Sequence, residues 1–404
     1  EIEKDIVVKG GKTNNFREFF NFPNPKSPVL EKEKHTPLRY PPLEKSVSIF
    51  QAVEQNNFML HFPYHSFDYF IQFLTEAAHD DSVTEIKTTQ YRVASNSAVV
   101  DALIDAALNG KKVTVVVELK ARFDEETNLQ YAREMKKAGI KIIYSKQGIK
   151  VHSKVALIQR VSNGKKMRRL AFLGTGNFNE KTAKLYCDHG YFTSHEGITN
   201  DLEKLFDFLE EQSGSVSFDH ILVPRNNMVE TYKELINREI ENVKAGKKGY
   251  ILLKMNGLED PVMIEELYRA SEAGVKIDLI IRGVCCLIPN QPYSNNIRIV
   301  RIVDRFLEHA RIFVFYDDGN YKIYSGSADW MKRNLYRRIE CVFPVYDEET
   351  KKEILDILNI QLSDNVNARE INENLENEVI RTGNKWVRAQ EEIYQYLKEK
   401  QREI

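Results

Sequence analysis

Cysteine is scarce in this chain, with four among 404 residues, and no apolar run approaches the length needed to cross a bilayer. Cys187, Cys285, Cys286 and Cys341 show no metal-ligand spacing, and two of them are adjacent. A reduced, cytosolic compartment is therefore the simpler expectation. An excess of one charge sign is also missing: 58 basic residues face 59 acidic ones, for a net charge of −1. That balance argues against a wholly basic surface for nucleic acid. It leaves room for a local basic channel, because net charge says nothing about distribution. No signal peptide is visible and the first residue is Glu1, so a fragment of a longer chain is expected. What is present is the composition of a soluble globular protein, 42% hydrophobic and 29% charged, long enough for two or three domains.

Residues 1 to 45 read as irregular, punctuated by Pro23, Pro25, Pro28, Pro37, Pro41 and Pro42. Beyond Phe58 the pattern alternates. Thr84–Thr89 reads as a strand, Ser97–Leu108 as a helix closed by Asn109-Gly110, and Val113–Leu119 as a strand buried on both faces. Asn128–Ala138 follows as a helix and Ile140–Tyr144 as a strand. Alternation of this kind implies an α/β fold with a largely parallel sheet. The pattern then returns, with a strand at Gly249–Leu253, a helix at Pro261–Glu272, a stop at Gly274 and a buried strand at Val275–Ile281. A basic dyad around a histidine recurs as well, His152-Ser153-Lys154 and then His309-Ala310-Arg311. Each leads to a small-residue turn, Gly174-Thr175-Gly176-Asn177-Phe178 and Gly326-Ser327-Ala328-Asp329-Trp330. The matched order of these features indicates a tandem duplication into two similar α/β domains. A last amphipathic helix is expected from about Asn384 to Lys398, packing on the body.

A lone histidine among nine is more often structural than catalytic, and His-x-Lys alone is a weak signal. His152 and Lys154, placed in a strand, would share one face. There the lysine would neutralise a phosphate while an imidazole nitrogen attacks phosphorus. Asn177 sits in a turn small enough for backbone N–H groups to approach phosphate. A second histidine at the equivalent place, His309, suggests a pair facing across a pseudo-twofold cleft, one as nucleophile and one as general acid or charge stabiliser. Arg92, Arg122 and Arg282 lie at strand ends, where open α/β sheets bind ligands, and guanidinium groups grip phosphate in pairs of bonds. Each arginine alone is better read as a solvated loop residue. Asp124, Glu125 and Glu126 could ligate Mg²⁺, though capping of the following helix is the better reading.

The runs Tyr91-Arg92-Val93-Ala94, Val117 to Glu126, Val151-His152-Ser153-Lys154 and Leu173 to Ala183 resemble the first catalytic domain of the type-1 polyphosphate kinase family. Ile281 to Leu287, Ile302 to His309 and Ser327 to Met331 resemble the second, so the likeness extends from about Phe58 to Arg369. The resemblance implies two tandem phospholipase D-like α/β domains with mixed, largely parallel sheets. Residues 46–215 would form the first and 216–404 the second with its C-terminal helix, after a partial head segment at 1–45. It implies a polyphosphate kinase that moves the ATP γ-phosphate reversibly to inorganic polyphosphate through a phosphohistidine. His152 would be the nucleophile, with His309 and Lys154 also catalytic. Tyr186, Arg282 and His309 would contact ATP. Arg92 and Arg122 would hold phosphates that carry Mg²⁺, since an arginine cannot ligate a cation. The implied setting is the bacterial cytoplasm, with no nucleic-acid partner, with peripheral membrane association, and with a homo-oligomeric full-length protein. Family members carry further N-terminal domains that supply part of the nucleotide pocket.

Two other readings stand beside this one. A phospholipase D-like phosphodiesterase would use the same histidine pair, but it expects His-x-Lys in both halves with an aspartate a few residues on. Here the second half has His309-Ala310-Arg311, and Val155 to Arg160 holds no aspartate. A non-catalytic polyanion-binding module is the second alternative.

Overall fold

Helix, glycine and buried strand follow one another twice, and the reason is local. Ser97 caps the helix Ala98–Leu108 by accepting the Val100 N–H, and Asp260 caps Pro261–Glu272 by accepting the Met263 N–H. Gly110 and Gly274 then take φ of +82° and +95°, a conformation that glycine adopts without strain, and turn the chain into the next strand. These elements come from a computed structural model that describes residues 22–23, 26–31, 33–91, 94, 96–118, 125–145, 148–162, 166–211, 216–380 and 385–403. The chain divides into Glu1–Thr36, in which residues 26–30 form turns, and Pro37–Ile404, which holds both sheets. A helical turn at Pro41–Glu44 falls inside the stretch expected to be irregular, because proline suits the first position of a helix.

The first half contributes β1 (Phe58–Phe62), β2 (Val83–Gln90), β3 (Lys112–Val117), β4 (Lys141–Tyr144), β5 (Lys150–Val151), β6 (Val155–Ser162), β7 (Lys166–Gly174) and β8 (Tyr186–Thr193). The second contributes β9 (Tyr250–Met255), β10 (Lys276–Ile281), β11 (Ile297–Ile302), β12 (Leu307–Glu308), β13 (Arg311–Phe315) and β14 (Lys322–Gly326). It continues with β15 (Arg338–Ile339), β16 (Val342–Val345), β17 (Ala368–Ile371) and β18 (Asn377–Val379). The first sheet runs β4-β3-β2-β6-β7-β8-β1, and the second runs β11-β10-β9-β13-β14-β16 with β17 and β18 beyond β11. Strand for strand the central order is the same, as a duplication requires. Both sheets are mixed. The parallel pairs are β2–β3, β3–β4, β9–β10 and β10–β11, and the remaining neighbours within each sheet are antiparallel. The parallel share is thus smaller than the alternation suggests, because β6 to β8 and β13 to β16 return as hairpins after the βα units.

Two short parallel pairings cross between the halves. β12 joins β8, with Leu307 opposite Tyr186, and β15 joins β5, with Arg338 opposite Lys150. One buried cluster also spans the halves, and in it the Tyr191 and Phe343 rings stack 5.5 Å apart. Burying each such ring fully is worth about 1.5–3 kcal/mol. Helices Asp68–His79 and Ala98–Leu108 cover the outer face of the first sheet, and Met228–Lys244 and Pro261–Glu272 that of the second. The last helix runs Ala389–Glu403, starting later than expected. Its first N–H, that of Ala389, is accepted by Asp364 at 2.7 Å, a cap from far along the chain that local sequence cannot reveal. No helix among the described residues is long and apolar enough to cross a membrane.

Gly190 in β8 lies under an aromatic cluster. A Cβ there would stand 2.5 Å from Phe172 and 2.9 Å from Phe62. Gly190→Ala is expected to lower the unfolding free energy by about 1–3 kcal/mol. Urea denaturation measures this, and an unchanged midpoint would mean that the rings yield at no cost.

Candidate active site

The two crossing strands deliver the two histidines. His152 follows β5, and its backbone N–H binds the Ile339 carbonyl of β15 at 2.7 Å. His309 follows β12, and its N–H binds the Cys187 carbonyl of β8 at 3.1 Å. His152-Ser153-Lys154 therefore occupies the link between β5 and β6, not the interior of a strand as expected. The Lys154 ammonium nonetheless folds back to donate to the His152 carbonyl, so the pair stays together.

Each imidazole takes its carboxylate from the other half. His152 Nδ1 lies 2.8 Å from Glu340, which is wholly buried. Glu340 also accepts from the Ser327 hydroxyl at 2.5 Å and the Asn334 amide at 2.6 Å. His309 Nδ1 lies 2.8 Å from Asp188, which accepts from the Thr175 hydroxyl at 2.6 Å. Thr175 precedes Asp188 by 13 residues and Ser327 precedes Glu340 by 13, so the two devices are the same device used twice. A carboxylate on Nδ1 fixes the tautomer, with Nδ1 carrying the proton and Nε2 the lone pair.

The two Nε2 atoms differ in their surroundings. The Arg311 guanidinium stands 3.2 Å from His309 Nε2 and 3.3 Å from its Nδ1, and is itself held by Asp329 through two contacts of 3.2 Å. Among the described residues nothing hydrogen-bonds His152 Nε2. The Tyr91 ring packs edge-on at 4.8 Å from the His152 ring, and the Tyr186 ring lies 5.2 Å from that of His309.

Burial dominates the electrostatics. It holds the His152 imidazole at about 3, with Lys154 and Arg338 acting in the same direction and Glu340 opposing. Burial lowers His309 too, aided by Arg311. It also pushes Lys154 well below the usual lysine range, with Arg311 and Arg338 adding to it. Burial alone would raise Asp188, but His309 and Thr175 outweigh it and hold the carboxyl at about 2. Arg311 stays charged, and an anionic ligand would favour the charged forms of Lys154 and the imidazoles that burial disfavours.

Arg282 leaves β10 and donates to Asn256 at 2.7 Å and to the Glu308 carbonyl at 2.6 Å, with no carboxylate partner among the described residues. Asn177 carries a buried side-chain oxygen with no partner among them. Arg92 and Arg122 lie outside the described residues, as does Asp124. The helix after the acidic run begins at Glu125.

The family model described as polyphosphate kinase C-terminal domain 1 matches residues 48–215, and that for C-terminal domain 2 matches residues 221–390. The chain belongs to the polyphosphate kinase family. It is 44% identical over 398 residues to the polyphosphate kinase of Escherichia coli strain K12, covering 98% of this chain and 58% of that protein. The polyphosphate kinase of Yersinia pestis is 45% identical over 397 residues, with the same shares covered. The chain therefore spans somewhat more than half the length of these relatives. The crystal structure of polyphosphate kinase from Porphyromonas gingivalis matches with a TM-score of 0.91 at 47% identity, over 100% of this chain and 62% of that one. A phosphatidylserine synthase from Haemophilus influenzae shares the fold at 10% identity, with a TM-score of 0.54 over 85% of this chain and 93% of the other.

The two carboxylates are what the sequence reading missed. Their signal was present as the equal spacing from Thr175 to Asp188 and from Ser327 to Glu340. The aspartate sought downstream of His152 is absent because its carboxylate comes from the other half. Among the described residues no group of three or more His, Cys, Asp or Glu side chains could hold a metal, and Asp188 and Glu340 are committed to imidazoles.

Two predictions follow from this geometry. His65 and His152 are both held at about 3 by burial, against an ordinary value of 6.5. As pH falls below about 6.5 the unfolded chain takes up protons that the folded one refuses, so folding stability should drop through that window. Denaturation from about pH 7 to about pH 5 should show a shallower drop in His152→Gln, and equal slopes would mean that His152 titrates normally. Separately, a Cβ on Gly176 would stand 2.2 Å from the Asp188 carboxylate. Gly176→Ala should displace Asp188 from His309, seen as a moved ring-proton resonance of His309 in NMR; an unmoved resonance would rule this out.

Proposed function

We propose that this chain transfers phosphoryl groups reversibly between ATP and inorganic polyphosphate, with His152 as the covalent carrier. The observation that carries the reading is the contrast between the two histidines. His152 is neutral, oriented through Nδ1 by Glu340, and without a hydrogen bond at Nε2 among the described residues, whereas the His309 ring has a guanidinium against both its nitrogens. The first is built as a nucleophile, and the second as a group that stabilises charge or moves a proton.

In the forward direction His152 Nε2 attacks the γ-phosphorus. The bond from phosphorus to the bridging oxygen breaks, and ADP leaves with its electron pair. The positive charge gained by the ring is spread to Glu340 through the Nδ1 proton. Lys154 and Arg311 neutralise the transferring oxygens, which is most of what this chemistry asks of a protein. A terminal oxygen of polyphosphate then attacks the same phosphorus from the opposite side and the N–P bond breaks, with His309 assisting. Tyr186 and Arg282 are assigned to ATP and Asn177 to phosphate. Arg92 and Arg122 are assigned to phosphate oxygens that carry Mg²⁺, which supplies charge neutralisation when bound. The bacterial cytoplasm, homo-oligomerisation and peripheral membrane association of the whole protein belong to the same proposal.

The test is incubation of the intact protein with γ-labelled ATP and Mg²⁺. Label that survives base, is lost in acid and is absent from His152→Ala is expected. Label retained in that variant would place the nucleophile elsewhere.

A further inference from the structure

The C-terminal helix, expected only to pack, reaches the segment that carries His309. Gln390, in its first turn, is 4% exposed. Its Oε1 accepts the Phe306 N–H at 2.9 Å, and its Nε2 donates to the Phe306 carbonyl at 2.8 Å and to the Glu308 carboxylate at 2.8 Å. An amide satisfies these partners in one orientation only, because a flip would set N–H against N–H. Two residues earlier, Arg388 grips Asp304 at 2.9 and 2.6 Å. The far side of Glu308 is held by the Lys254 ammonium and by the Gln361 amide at 2.9 Å.

The clamped segment matters for what hangs from it. The Glu308 carbonyl anchors the Arg282 guanidinium at 2.6 Å, and the next residue is His309. The clamp therefore fixes both His309 and Arg282, two groups on which the proposed function rests. We propose that Gln390 is a positioning residue for His309, and that the C-terminal helix completes the catalytic site. The groups that face the imidazole are Asp188 and Tyr186 of β8, Arg311 of β13 and Lys154, and none of them contacts Gln390. An effect of Gln390 on His309 then travels through the backbone of residues 306–308, or through Cys187, whose Sγ lies 3.8 Å from Gln390 Nε2 and whose carbonyl accepts the His309 N–H.

The experiment compares Gln390→Met with Leu397→Ala in the intact protein. Methionine fills the volume without hydrogen bonds. Leu397, buried two turns further along the helix, reports loss of packing alone. Ring resonances of His309 and steady-state kcat are read in both, with Tm as the stability match. Gln390→Met should move the His309 resonances and lower kcat by about 10- to 100-fold. Leu397→Ala, at equal or greater loss of Tm, should leave those resonances in place. If the two variants match in resonances and kcat at matched Tm, the helix only packs and the proposal falls. Gln390→Glu keeps the acceptor and loses both donated bonds, so it gives a second reading should methionine fail to fold. His309→Ala separates the premises: full activity there would remove His309 from the reaction, while the resonance comparison still decides the clamp.

Discussion

Everything in this site depends on a crossed exchange, in which each histidine is oriented by a carboxylate from the other half. An imidazole buried without such a partner would be free to rotate and to choose either tautomer. Glu340 and Asp188 remove that freedom, and each is in turn fixed by a hydroxyl, Ser327 or Thr175. Burying four charged or ionisable groups so close together is unfavourable unless every one is paired. That requirement explains why β5 pairs with β15 and β8 with β12 immediately beside the histidines. The short strands hold the backbone in a register that brings carboxylate to imidazole.

The duplication is symmetric in its scaffold and asymmetric in its chemistry. The strand order repeats and the 13-residue hydroxyl-to-carboxylate spacing repeats. The residue two beyond each histidine does not: Lys154 in one half is Arg311 in the other. A lysine is a point charge on a flexible stem, and here it turns back to the His152 carbonyl and makes no bond to Nε2. An arginine is a rigid fork, and here it is locked by Asp329 against His309 Nε2. One difference between the copies thus gives the two histidines different neighbours.

Much of this was legible from sequence, and the reasons are local ones. Capping serines and aspartates, glycines at helix ends and continuous apolar runs mark the βα units, since each acts within a few residues. The histidine dyads stood out because they recur after equivalent elements. The carboxylates did not, because a residue that pairs 188 positions away leaves no local mark at either end. The same holds for the start of the last helix, which is set by Asp364, and for the function of Gln390, which reads as one more polar residue on an amphipathic helix. The share of parallel pairing was overestimated because a hairpin return and a βα crossover look alike where the strands themselves are apolar on both faces.

The separation between His152 and Glu340 also has a meaning in time. A ribosome adds roughly 5–20 residues per second, so the 188 residues from the imidazole to its carboxylate take about 10 to 40 s to emerge. During that interval the first half can form its sheet and outer helices, yet its histidine has neither its Glu340 anchor nor the β15 strand beside it. Until the second half has emerged, the centre lacks the carboxylate that orients His152.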